Sequence, residues 1–140
     1  MSGRMSKSKG YRGETEVKSI LERLMAIVFQ EMGLPMAALP ELSRSPNGRD
    51  LVGLPWIAVE VKRHERDNPF VVNEWWTQCK NQAEGKREPV LFYRMNNRPW
   101  NIRMFGYLDA GSGRVRCPVD IGLEAFSAWF CARYKANLQK

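Results

Sequence analysis

The chain has 140 residues, 44% of them hydrophobic and 11% aromatic, which is enough for one compact domain and too little for two of ordinary size. The 22 lysines and arginines against 15 acidic residues give a net charge of +7, which indicates a polyanionic partner such as nucleic acid or an acidic membrane surface. The scattered cysteines argue against a disulfide framework and a zinc site, and the single histidine argues against triad chemistry. No run of roughly 18 apolar residues is present, which argues against a membrane span.

The chain begins with a basic segment followed by a helical pattern. Residues 1–12 are small, polar and basic, which predicts a flexible arm able to lie on phosphates before a single domain at residues 13–140. Within residues 13–32 the apolar positions recur at steps of three and four, which predicts an amphipathic helix ended by Gly33 and Pro35. These positions are Val17, Ile20, Leu21, Leu24, Ile27 and Val28.

After the helix the pattern changes to short segments separated by turn residues. The segments at 37–42, 50–54 and 56–62 predict a meander of strands. In the last segment apolar residues alternate with others, so a strand there would send Glu60 and Lys62 to the same face, two residues apart.

The second half of the chain predicts further helices and strands. Residues 73–85 form a helical pattern that Asn73 can cap and Gly85 can end. The remaining elements are a strand at 89–94, two strands at 102–108 and 114–119 joined as a hairpin, and an aromatic-rich closing helix at 123–138 whose rings are expected in the core. These elements together predict an α/β domain with a mixed central sheet flanked by helices.

Three residues in and before the segment at 56–62 form a pattern with metal chemistry. Asp50 is followed, after nine intervening residues, by Glu60, and Lys62 stands one residue beyond. Carboxylates that meet at one end of a sheet can hold Mg²⁺, which prefers oxygen ligands. A neighbouring lysine can orient or help deprotonate the water that attacks phosphorus, while the cation offsets charge on the phosphoryl oxygens.

The same pattern also has an ordinary structural explanation. Exposed strand faces commonly alternate Glu and Lys for solubility and cross-strand pairing. Glu60, however, lies inside an otherwise apolar strand, where an uncompensated carboxylate costs several kcal/mol. The metal-binding interpretation supplies a reason for an acid at this position.

Several motifs resemble one family in combination. The matching segments are Lys9-Gly10-Tyr11-Arg12-Gly13-Glu14, Gly48-Arg49-Asp50-Leu51, Glu60-Val61-Lys62, and a helix-to-strand stretch around Trp76, Gln78 and residues 89–94. The chain thereby resembles the PD-(D/E)XK nucleases, and within them the archaeal and phage-type Holliday junction resolvases. Two positions depart from the family pattern, since Arg49 stands where the superfamily name has proline and Thr15 where these resolvases tend to have a basic residue.

The resemblance implies a restriction-endonuclease-like fold and a set of roles. Glu14, Asp50 and Glu60 would be the metal-site acids and Lys62 the catalytic lysine, with Mg²⁺ as the cofactor and Mn²⁺ able to replace it. The implied activity is that of an endodeoxyribonuclease that acts in DNA recombination and repair. The expected compartment is the cytoplasm of a prokaryotic or phage-infected cell.

Other residues are candidates for contact with DNA. The basic ones that flank the proposed site in sequence are Lys7, Lys9, Arg12, Arg44, Arg49, Arg63 and Arg66, for which an ordinary solvated surface is the alternative. Of Trp75 and Trp76, we expect one to stack on unpaired bases or pack between subunits and the other to join the core. Gln78 and Lys80 follow on the same helix, where they either reach the edge of the active site or form a polar surface pair.

The predicted function is a Holliday junction resolvase that makes paired, symmetric nicks in branched DNA. Such an enzyme is expected to be a homodimer, because two-fold symmetry supplies two sites related like the substrate arms. Three alternatives remain open. They are a PD-(D/E)XK enzyme acting on forks, flaps or nicks, a basic DNA-binding module without catalysis in which Glu60 and Lys62 form a structural ion pair, and an RNA nuclease or binder.

Overall fold

The computed structural model describes residues 2–44, 50–64 and 68–140, with the backbone alone for residues 2–12 and for Asp50. Within these residues three α-helices flank one six-stranded sheet. The helices are α1 (Ser2–Met32), α2 (Pro69–Ala83) and α3 (Leu123–Leu138), with a 3₁₀ turn at Met36–Ala38. The strands are β1 (Ser43–Arg44), β2 (Asp50–Val52), β3 (Ile57–His64), β4 (Glu88–Met95), β5 (Asn101–Asp109) and β6 (Arg114–Ile121).

The sheet is mixed, and its strands lie side by side in chain order. β3 and β4 pair in parallel with α2 as the crossover between them, whereas the other neighbouring strands pair antiparallel. The predicted α/β class with a mixed central sheet is confirmed, and the arrangement is consistent with a restriction-endonuclease-like fold. No helix among the described residues has the length and apolar character needed to cross a membrane.

Alternating side chains on the central strands divide the core between the two faces of the sheet. On β3, Val59 and Val61 belong to the larger cluster, which α1 and α3 complete. On β4, Phe92 joins that same cluster, while Leu91 and Tyr93 face α2 in a smaller cluster. The period of two on each strand thus positions α2 alone over the face opposite to α1 and α3.

The start of α2 differs from the prediction. Asn68 caps the helix by accepting a hydrogen bond from the Val71 amide at 3.0 Å, and Pro69 occupies the first helical position. Proline fits there because the first amides of a helix have no intrahelical acceptor. The helix therefore begins four residues before Asn73, the predicted cap, and it ends at Ala83 before Glu84, which has a φ of 55°.

Two other boundaries near the N-terminus are corrected. α1 begins at Ser2, so the helical backbone continues through residues 2–12, because extending a packed helix gains one hydrogen bond for each residue added. The segment at 37–42 forms a 3₁₀ turn and an extended stretch instead of a strand. Pro35 precedes this segment and Pro40 lies within it, and proline cannot donate a hydrogen bond to a strand ladder.

A polar cluster joins β4, β5, β6 and α2 on the face that α2 covers. Arg103 of β5 donates to both carboxylate oxygens of Asp120 on β6, at 2.6 and 2.9 Å, and to the Asn73 side chain of α2 at 2.8 Å. The Tyr93 hydroxyl donates to Asp120 at 3.0 Å. The hydrogen bonds from Arg103 lower the pKa of Asp120 below its usual value, against the opposing effect of burial.

This cluster predicts an acid-sensitive contribution to stability. Because the pKa of Asp120 is lower in the folded protein, its contribution is present above the unfolded pKa of about 3.9 and is lost as the pH falls through the folded value. Asp120→Asn is therefore expected to lower the free energy of unfolding by about 1 kcal/mol near neutral pH. Urea denaturation of both proteins across the acidic range measures this difference, which should shrink towards zero in acid; a constant difference would contradict the prediction.

Candidate active site

The pairing of β2 with β3 brings two of the predicted acid positions together. Asp50 of β2 lies directly opposite Glu60 of β3, with Leu51 opposite Val59. Directly opposed residues in an antiparallel pair share a face of the sheet and have Cβ atoms about 4.5–5.5 Å apart. The position of Asp50 is thus on the same face as Glu60, although its side chain lies outside the described residues.

Glu60 and Lys62 lie on the same face of the sheet, as their spacing predicted. α2 covers this face. The Glu60 side chain is 2% exposed, and the Nζ atom of Lys62 lies 3.5 Å from its Oε1 atom. Lys62 is 27% exposed, so its ammonium group reaches solvent beside a buried carboxylate. The Lys62 ammonium can therefore contact an anion that enters from solvent.

Glu14 is the second buried acid in the described part of the chain. It lies on α1, is 5% exposed, and forms an ion pair between its Oε2 atom and the Nε atom of Arg44 on β1. Arg44 is the register partner of Leu51, which adjoins Asp50. The ion pair therefore holds Glu14 beside the end of the sheet that carries the Asp50 position.

Gly13 explains how α1 comes close enough to the sheet for this contact. A Cβ atom at position 13 would lie 3.3 Å from Cγ1 of Val61 and 3.6 Å from Cβ of Arg63. The distance to Val61 is shorter than most Cβ contacts, so the absence of a side chain allows the helix to approach β3 closely. Glu14 is the next residue and is carried towards the sheet by the same contact.

An open cavity of about 400 Å³ lies over Glu60 and Lys62. Gln78, Asn81 and Gln82 of α2 form its other wall. Of these three, Gln78 was predicted, whereas Asn81 and Gln82 were missed. Their spacing of three and four residues from Gln78 puts them on one helix face, and this signal was available in the sequence.

Glu60 and the Asp50 position opposite it offer the oxygen ligands that a hard divalent cation prefers, whereas Glu14 lies on α1, which packs on the other face of the sheet. Burying a carboxylate is costly unless a charge or hydrogen bonds compensate it, and carboxylate oxygens are the ligands that Mg²⁺ prefers. Among the side chains that the structure describes, which do not include that of Asp50, no group of three His, Cys, Asp or Glu comes together. Asp50 and Glu60 would hold the cation, and Glu14 is the third ligand that the family resemblance predicts.

No protein-family model, curated protein or solved structure matches this chain. The function is therefore inferred from the site itself. Its basis is a buried carboxylate paired with a lysine and a second acid position opposite it, together with a buried acid on α1 that pairs with an arginine.

Two of the arginines predicted to contact DNA are engaged within the protein. Arg44 pairs with Glu14, as described. Arg63 lies 3.5 Å from Glu16 and donates to the Asn96 side chain at 3.2 Å, so contact with phosphate would require it to leave these partners. The side chains of the other basic candidates, Lys7, Lys9, Arg12, Arg49 and Arg66, lie outside the described residues.

The prediction that one of the two tryptophans is free to stack on bases is wrong. Trp75 is 6% exposed and Trp76 is 4% exposed, and both belong to the core cluster under α2. The Trp75 ring packs against Tyr93 and His64, with centroid distances of 6.3 and 4.8 Å. Both rings are needed here because they fill the space between α2 and the sheet.

Lys80 lies on the opposite side of α2 from Gln78. Its Nζ atom is 5.9 Å from the centre of the Trp76 ring, and it lines a different cavity, towards β4 and β5. Residues two apart on a helix point about 200° from each other, so these two side chains do not reach the same edge. The expected pairing of Gln78 and Lys80 at the active site is therefore corrected.

Proposed function

We propose that the protein is a metal-dependent endodeoxyribonuclease that acts at the Glu60–Lys62 site. The observation that carries the proposal is a carboxylate buried to 2% exposure, placed opposite Asp50 and 3.5 Å from a partly exposed lysine. Glu14, Asp50 and Glu60 would hold Mg²⁺ or Mn²⁺. When bound, the cation would offset the charge that develops on the phosphoryl oxygens.

Lys62 has the position and charge for a role in the reaction. Hydrolysis forms a bond from a water oxygen to phosphorus, breaks one ester P–O bond and transfers the proton of the water. Lys62 lines the cavity and is partly exposed, so its ammonium can donate to a phosphoryl oxygen or orient the water. Glu60 holds this ammonium in place through their ion pair.

Branched DNA is the substrate that we propose, with a four-way junction as its main form. The net charge of +7 supports a polyanion, and the resemblance to Holliday junction resolvases supports the branched structure. Paired symmetric nicks would require a homodimer with two equivalent sites. The role in recombination and repair and the cytoplasmic location belong to the same proposal.

Cleavage of a labelled four-way junction beside a linear duplex of the same sequence tests this function. We expect paired nicks in the junction with Mg²⁺ and none with EDTA. Lys62→Met, which keeps the length of the side chain but removes its charge, should lower the rate about 10²-fold. A panel of forks, flaps, nicked duplex and RNA hairpins identifies another nuclease specificity if the junction is not preferred.

One observation favours a second candidate, a DNA-binding module without catalysis. The Lys62–Glu60 contact at 3.5 Å is also what a structural ion pair would show. This candidate predicts DNA binding that persists in EDTA, with no cleavage under Mg²⁺ or Mn²⁺. Binding without cutting of any substrate in the panel would replace the nuclease proposal with this one.

A further inference from the structure

A second cavity, of about 460 Å³, lies on the other side of α2 and is strongly basic. It forms where the end of α2, the start of β4, the hairpin strands β5 and β6 and helix α3 meet. Its cationic side chains are Lys80, Lys86, Arg87, Arg116 and Arg133. The single acid in its wall is Glu88, so the lining carries five positive charges against one negative charge.

The positive charges of this basic cavity have little compensation from the protein. Within the described ranges, none of the five basic residues has a carboxylate within ion-pair distance. The C-terminal end of α2 carries a partial negative charge, but it amounts to only about half a unit. Five cations around one cavity repel each other, and a bound anion would relieve that repulsion.

Two of the guanidinium groups are already held in place. Arg116 stacks on the Phe105 ring at 3.7 Å, a contact that leaves the N–H groups at its edge available. Arg87 donates to the Gln82 carbonyl oxygen at 2.7 Å and so is tied to the end of α2. Groups that are fixed before binding lose less entropy when they bind a phosphate.

The wall of the basic cavity also contains an unsatisfied donor. The indole Nε1 of Trp56 is buried and has no hydrogen-bond partner in the part of the chain that the structure describes. The same ring packs on Phe130 and Tyr134, with centroid distances of 5.6 and 6.2 Å, which fixes its orientation. The fixed ring thus forms a rigid part of the wall of the basic cavity.

The position of the basic cavity relative to the Glu60–Lys62 site suggests its ligand. Gln78 and Gln82 line the active-site cavity, whereas Lys80 and Ala83 line the basic cavity, so the last two turns of α2 separate them. A helix with its side chains is about 10–12 Å across. The major groove of B-DNA is about 12 Å wide, so a helix of this diameter fits between its two phosphate backbones. One backbone would then lie at each cavity.

We propose that the basic cavity binds a backbone phosphate of the DNA, across a groove from the phosphate that is cut. This inference rests on the proposed function for the identity of the ligand, but it concerns binding and not the chemistry of cleavage. The cavity would hold the duplex in register over the active site. It carries no base-reading role, because phosphate contacts fix position and not sequence.

Fluorescence anisotropy with a labelled duplex in EDTA tests the proposal without any cleavage. The test variant is Arg116→Ala with Arg133→Ala, two exposed residues on different elements of the basic cavity. We expect its Kd to rise about 10-fold and the slope of log K against log salt to fall by about one to two, since each phosphate contact contributes about 0.9.

Two matched variants control for general charge and for folding. Arg98→Ala with Arg114→Ala also removes two positive charges, but from exposed sites outside the cavity, and should change Kd by less than about twofold. Arg116→Lys with Arg133→Lys keeps the charges and should restore most of the salt slope. Thermal melting of each variant confirms that it is folded before binding is compared.

The outcomes separate this inference from the proposed nuclease function. Wild-type affinity in the Arg116 and Arg133 variant, or equal losses in the variant and its control, would overturn the inference and leave the nuclease proposal intact. The expected loss of affinity in a protein that cuts no substrate would support phosphate binding by the basic cavity and overturn the nuclease proposal, and with it the placement relative to a cut phosphate. A wild-type protein that binds no DNA would overturn both.

Discussion

Substitution of Glu60 by glutamine is expected to lower the rate of DNA cleavage by about 10³-fold, equivalent to about 4 kcal/mol in the activation barrier. The amide keeps the size of the side chain but removes the negative charge that the cation and Lys62 require. Single-turnover cleavage of the labelled junction in Mg²⁺ measures this loss. A rate near that of the wild type would rule out Glu60 as a metal-site acid.

The same substitution is expected to stabilise the protein when no metal is present. Glu60 is 2% exposed, and its charge is costly in that environment, whereas Lys62 is 27% exposed and remains hydrated without its partner. We expect Glu60→Gln to raise the free energy of unfolding in EDTA by about 1 kcal/mol. Mg²⁺ should raise the Tm of the wild type and leave that of the variant unchanged.

Glu124→Gln provides the matched control for these measurements. Glu124 is an exposed acid in the first turn of α3, away from the residues of the proposed site. Its substitution should leave the cleavage rate and the effect of Mg²⁺ on Tm unchanged, and should alter stability by less than about 0.5 kcal/mol. Equal effects in the two variants would show that the loss of negative charge acts non-specifically.

Phe126→Ala is expected to lower the free energy of unfolding by about 3–5 kcal/mol, a large part of the stability of a typical domain. Phe126 is fully buried and packs on Phe92 of β4 at a centroid distance of 5.0 Å. It also contacts Trp129 and Phe130 on its own helix, each at 5.8 Å. The smaller side chain leaves a cavity at the contact between α3 and the sheet.

Phe70→Ala removes the same group from a surface position and serves as the control. The Phe70 side chain is 81% exposed in the first turn of α2, so we expect a change of less than about 0.5 kcal/mol. Urea denaturation measures both variants with the wild type. Similar destabilisation by the two substitutions would show that Phe126 does not anchor α3.

The sequence supplied the central part of the candidate site because that part depends on local geometry. The period of two along β3 places Glu60 and Lys62 on one face whatever the rest of the chain does. The closing helix was also predictable from local geometry. α3 spans the predicted residues, and its Phe126, Phe130 and Tyr134 are buried at helical spacing. The metal, the substrate and the dimer remain predictions.

The tertiary structure decided which side chains form ion pairs with each other and which are buried. The sequence contains no local signal that Arg44 pairs with Glu14 or Arg63 with Glu16, because these contacts join residues about 30 and 47 positions apart. The burial of both tryptophans depends on how α2 sits on β4 and β5. Likewise, the basic cavity exists only because five separate elements converge on it.

By itself, then, the sequence determined the alternation of strands and helices and the face on which each side chain of β3 lies. These features follow from local periodicity, which neighbouring residues in the chain specify directly. Only the tertiary structure decided the burial of both tryptophans and the partners of the arginines. Such features depend on long-range packing and charge pairing, and a single helix or strand does not encode its partners.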